Sequence, residues 1–109
     1  MFILFDQGTP APLRKHLLTH QVATAYEPGW ATLRNGELLT KAEEEGFEVI
    51  VTTDQNLKYQ QNLVNRRIAI VVLPTTSWPR IQKIIPEVCH TISSATLNDY
   101  IEVSVPGCS

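Results

Sequence analysis

The sequence predicts a three-layer α/β domain with a mostly parallel five-stranded sheet. Three observations point there. Short apolar runs alternate with stretches of helical period, in the order β-α-β-α-β-α-β-α-β. The strongest runs are continuous and rich in β-branched residues, which suits strands covered on both faces. These runs stop abruptly, at Asp6, Asp54 and Pro74.

Taken in order, Phe2-Ile-Leu-Phe5 reads as a strand that stops at Asp6. Residues 10–20 follow as a helix with Leu13, Leu17 and Leu18 on one side. A weaker strand spans residues 22–26. Asn35 can cap a helix running to Glu45, with Leu38, Leu39 and Ala42 as its inner stripe and Gly46 at its stop. Residues 49–53 form a strand that stops at Asp54, and residues 58–64 a short helix. The run 68–73 is the clearest strand and meets Pro74. One helix is expected over residues 78–93, carrying Ile81, Ile84, Ile85, Val88 and Ile92; Pro79 suits its first turn and Pro86 should kink it. Ile101, Val103 and Val105 alternate with Glu102 and Ser104, the pattern of a half-exposed edge strand. The expected organisation is one domain over residues 1–105 and a loose tail over 106–109.

Composition narrows the function classes. A chain of 109 residues is the size of one domain. Apolar residues at 43% and charged residues at 18% exclude a disordered chain. Nine Lys and Arg against eleven Asp and Glu give a net charge of −2, which excludes a strongly basic coat but not a local basic patch. No apolar run approaches the ~18 residues of a membrane span. The apolar start meets Asp6 at once and lacks the features of an export signal, so Cys89 and Cys108 are expected as reduced thiols in a cytoplasm.

Open parallel sheets take ligands beyond the carboxyl ends of their strands. Asp6 and Asp54 fall there, and Glu37 lies in the first turn of the helix after the second strand, which must start near that edge. Asn56 and the loop Thr75-Thr76-Ser77 join them. Clustered carboxylates repel one another unless a cation intervenes, and oxygen ligands select hard ions such as Mg²⁺ or Mn²⁺. Such an ion activates water and suits phosphodiester hydrolysis. No nucleophile elbow or glycine-rich phosphate loop is present. Cys89 and His90 lack the second ligand pair of a zinc site, and His16 and His20 lack a nearby carboxylate.

Plain structural roles are also open to these residues. Asp6 can accept hydrogen bonds from the turn at Gly8, Asp54 can cap a helix, and Glu37 can pair with Lys41. Glu43, Glu44 and Glu45 read as a solvated face. Lys58, Arg66 and Arg67 suit the surface, and Trp30, Trp78 and Cys89 suit packing.

Four stretches together resemble the small PIN-like proteins, a bacterial group of unknown function related to VapC toxins. Leu4-Phe-Asp-Gln-Gly-Thr-Pro10 resembles their opening, and Gly29-Trp-Ala-Thr-Leu-Arg-Asn-Gly-Glu-Leu-Leu39 their second motif. Val51-Thr-Thr-Asp-Gln-Asn-Leu57 resembles the third, and Ile70-Val-Val-Leu-Pro-Thr-Thr-Ser-Trp78 the fourth strand and its loop. The match covers about residues 1–90. It implies a Rossmann-like PIN fold and a metal-dependent ribonuclease, the toxin of a toxin–antitoxin pair, with RNA as substrate, an antitoxin as partner and a homodimer as assembly. It implies Asp6, Glu37 and Asp54 as ligands of Mg²⁺ or Mn²⁺. On this reading Asn56, Thr53 and Thr76 orient the water or the scissile phosphate, while Lys58 and Arg66 touch the RNA backbone.

The chain departs from the family at two positions. Gln7 stands where many relatives carry Glu, and Asn56 where many carry a second Asp. Three acids suit one metal ion and argue against two. The second reading is therefore a catalytically impaired PIN-like module that binds protein or RNA without cutting it.

Overall fold

A computed structural model describes residues 2–6, 8–17, 20–24, 29, 35–53 and 67–103. Among them five strands form one sheet: β1 (Phe2–Phe5), β2 (Gln21–Thr24), β3 (Val49–Thr52), β4 (Ala69–Val72) and β5 (Tyr100–Glu102). The order across the sheet is β2-β1-β3-β4-β5, and every pairing is parallel. The expected three-layer α/β architecture is thus present, with β5 parallel as well. The expected helix over residues 58–64 and the tail over 106–109 lie outside the described residues.

Both sheet faces are covered, which is why β3 and β4 are apolar at every position but Thr52. Alternate residues serve the two sides. Ile3, Phe5, Val49, Val51, Ala69 and Val71 point to one core. Leu4, Ile50, Ile70 and Val72 point to the other.

The second core is closed by α1 (Asn35–Glu44), whose Leu38, Leu39 and Ala42 sit on one stripe at helical spacing. The helix stops where the sequence says it should: Gly46 has φ +83°, a left-handed backbone that a Cβ would penalise. Phe47 then folds back and stacks on Phe2, with ring centroids 3.9 Å apart.

The first core is closed by three short pieces. A 3-10 helix, η1 (Ala11–His16), buries Leu13, and Leu17 follows it. The α-helix expected over residues 10–20 is therefore shorter and tighter, starting after the fixed φ of Pro10 and carrying Pro12 in its first turn. The single helix expected over residues 78–93 is two: α2 (Trp78–Gln82) and α3 (Ile85–Ser94). Pro86 breaks the chain instead of bending it, because it takes a first-turn position where its missing N–H costs nothing. Ile81, Ile84, Val88 and Ile92 remain on one buried stripe across the break.

The connections have unequal hands. The β1-to-β2 and β4-to-β5 crossovers both run over the first core, yet they travel in opposite directions along the sheet. The β2-to-β3 crossover, over the second core, shares the hand of the β1-to-β2 connection. Among the three crossovers with described helices, β4-to-β5 is therefore the odd one in a motif that is otherwise nearly uniform in hand.

Candidate functional site at the switch point of the sheet

The chain leaves β1 toward β2 on one side, and β3 lies on the other side of β1. β1 and β3 thus lie at a switch point of the strand order, and open parallel sheets take ligands in a crevice beyond the carboxyl ends of the strands at such a point. The residues at this edge are Asp6, which follows β1, Thr52, which ends β3, and Thr53, which follows it.

Register puts them side by side. Phe5 pairs with Val51, so the next position in each strand sets Asp6 beside Thr52. The Asp6 backbone N–H donates to the Val51 carbonyl at 3.0 Å. The Thr52 hydroxyl donates to Asp6 Oδ2. On the other oxygen, Oδ1 accepts from the Gly8 N–H at 3.1 Å and from the Thr9 hydroxyl at 2.9 Å. The Thr9 hydroxyl also lies 2.7 Å from the Val51 carbonyl, so one proton is shared between two acceptors.

Burial raises the Asp6 carboxyl above its ordinary range; the bonds from Thr52, Thr9 and Gly8 favour the ionised form and oppose that rise without cancelling it. The turn at Gly8 expected from the sequence is thus present, and it holds the carboxylate in place. Gly8 is also required by a close approach. A Cβ there would run into the Thr53 hydroxyl oxygen, so a larger residue would force the Thr53 side chain to shift.

The sequence singled out Asp6 and Thr53 at this edge, and both are there; Thr53 is half-buried. Thr9 was missed, although the spacing Asp6-x-x-Thr9 is that of a side-chain-closed turn. Glu37 lies in the first turn of α1 and is exposed. Its expected pairing with Lys41 is replaced by a Lys41–Glu44 pair at 3.9 Å. Thr76 is exposed on the loop after β4, where the Ser77 N–H donates to the Thr75 hydroxyl at 3.1 Å. Thr76 shares no hydrogen bond with Asp6. Asp54, Asn56, Lys58 and Arg66 lie outside the described residues.

The neighbourhood of Asp6 suits a hard divalent cation. Among the described residues its side-chain donors are the Thr9 and Thr52 hydroxyls, on Oδ1 and Oδ2 respectively. Among the described residues no three His, Cys, Asp or Glu come together as a metal group.

The other candidates take structural places. Cys89 is a free, half-buried thiol; burial pushes its pKa up, and it donates to the His16 carbonyl at 3.5 Å. His16 ends η1, so His20 is not on the same helix; its Nε2 sits 3.4 Å from the Ser93 hydroxyl. Trp78 is half-buried against the first core, as expected of a packing residue. Among the described residues no helix is long and apolar enough to cross a membrane.

Fold and site define an open parallel α/β domain with an oxygen-lined crevice at its switch point. No family model, curated protein or solved structure matches the chain.

Proposed function

We propose that this chain is a PIN-like, Mg²⁺- or Mn²⁺-dependent ribonuclease, acting in the cytoplasm as the toxin half of a toxin–antitoxin pair. The observation that carries this reading is Asp6. It is a carboxylate pulled out of water at the position where parallel sheets take ligands, and hydroxyls and a backbone N–H fix its orientation. Burying a charge costs free energy, and such cost is characteristic of functional sites.

Asp6, Glu37 and Asp54 would hold the ion, which lowers the pKa of water and offsets charge on a phosphodiester. Thr52 and Thr9 position Asp6. Thr53, Thr76 and Asn56 orient the attacking water or the scissile phosphate, and Lys58 and Arg66 contact the RNA backbone. An antitoxin would cover the crevice, and a homodimer is the assembly the resemblance implies.

The test is cleavage of a labelled RNA by the purified chain with Mn²⁺, with EDTA, and with Asp6→Asn. Cleavage that needs the metal and falls at least ~100-fold in the variant supports the reading, in line with the loss on removing one charge-stabilising group from a hydrolytic site. Cleavage by Asp6→Asn at the parent rate would overturn it. RNA binding without cleavage under any metal would support the second reading, a non-cleaving module, which Asn56 in place of an acid favours.

A further inference from the structure

The net charge of −2 conceals a division across the sheet. On the layer over the first core, the described residues of η1, α2, α3 and the α2–α3 junction carry Arg14, Lys15, Arg80 and Lys83 against one acid, Glu87. All four cations are exposed. On the opposite layer, α1 and the residue that follows it carry Glu37, Glu43, Glu44 and Glu45 against one cation, Lys41. Among the described residues of these elements, η1, α2, α3 and their junction thus sum to +3, and α1 with Glu45 sums to −3, although neither composition nor any single segment is strongly charged.

The positive layer also adjoins the crevice. η1 starts at Ala11, a few residues after Asp6, and α2 starts at Trp78, directly after the loop that leaves β4. Both begin at the carboxyl edge of the sheet. The elements that carry these cations meet: the His16 and Trp78 rings lie 6.0 Å apart, and the Cys89 thiol reaches the His16 carbonyl.

We infer that the η1–α2 face is the track for the phosphate backbone of single-stranded RNA leading into the Asp6 crevice, with Lys15, Arg80 and Lys83 as its contacts. This rests on the ribonuclease reading. Charge complementarity selects a polyanion, and the acidic α1 layer repels it from the other side, so binding is one-sided. Cations spread over two separate elements match a repeating charge, as in grooves that follow a single strand.

The measurement is fluorescence anisotropy of a labelled 20-nucleotide single-stranded RNA in EDTA, where cutting is stopped and binding remains. Lys15→Gln/Arg80→Gln/Lys83→Gln should weaken binding at least 10-fold. It should also flatten the dependence of log K on log salt by about 2, at ~0.7 per phosphate contact on a single strand. Lys41→Gln on the acidic layer should change affinity less than twofold. Equal affinity in the triple variant, or equal losses in both variants, would overturn the track. So would a polyglutamate peptide that competes as well as RNA at equal charge, since that marks an acidic protein as the occupant. Exposed polar substitutions leave the core intact, which far-UV circular dichroism checks. Failure of the nuclease reading is separate: Asp6→Asn then cuts as the parent does, whatever the binding result.

Discussion

Asp6 carries two opposing effects, burial of its charge and hydrogen bonds that favour it. Its carboxyl group is raised by burial, and three hydrogen bonds hold it ionisable in spite of that. The sign of its effect on stability follows. An acid raised in the folded state contributes fully below its unfolded value of 3.8, and that contribution is lost as pH rises through the folded value. At neutral pH, then, ionised Asp6 destabilises the metal-free fold. Asp6→Asn keeps an acceptor for Gly8 and Thr9 and removes the charge. In EDTA it should melt at a higher temperature than the parent near pH 7, and the difference should shrink as pH falls toward 3.8. A variant less stable at neutral pH would mean that the hydrogen bonds outweigh the burial of charge. Gain in stability with loss of activity is the usual signature of a functional residue.

At the scale of elements, the turn that ends α1 is set by Gly46 at φ +83°. The Phe47 N–H then donates to the Ala42 carbonyl at 3.0 Å and Phe47 turns into the second core. Gly46→Ala forces a Cβ into the left-handed region and should cost about 1–2 kcal/mol in urea denaturation. Gly46→Asn should cost less, since Asn tolerates that conformation. Space is not the issue, because nothing lies within 4 Å of a Cβ built there. Equal stability of the alanine variant would show that the turn relaxes freely. The same local chemistry, acting the other way, splits the helix at Pro86: a proline next to a buried stripe can either bend a helix or start a new one. Sequence periodicity is the same for both, since Ile81, Ile84, Val88 and Ile92 stay on one side in either case.

At the scale of the whole molecule, the sheet separates two cores that share a backbone but no side chains. Leu13 lies in one and Leu39 in the other, both fully buried. Leu13→Ala and Leu39→Ala should each cost about 2–5 kcal/mol. Since no contact joins them, the double variant should lose their sum to within about 0.5 kcal/mol. A coupling above 1 kcal/mol would mean that the sheet transmits packing strain from one face to the other.

The layers of the domain are legible in the pattern of the chain alone. Continuous apolar runs report burial on both faces, so the α/β class, the strands and the place of Asp6 and Thr53 at their carboxyl ends follow from local pattern. Facts that depend on which strands are neighbours come from the fold. The order β2-β1-β3-β4-β5 puts β1 beside β3, and only that pairing makes Thr52 the partner of Asp6 and presses Gly8 against Thr53. The same holds for charge. Arg14 and Lys15 are more than sixty positions from Arg80 and Lys83, so a net charge of −2 hides the basic face until η1 and α2 meet. Local periodicity encodes what each residue is buried from. It does not encode what each residue is placed beside, because that depends on the path of the chain across the sheet.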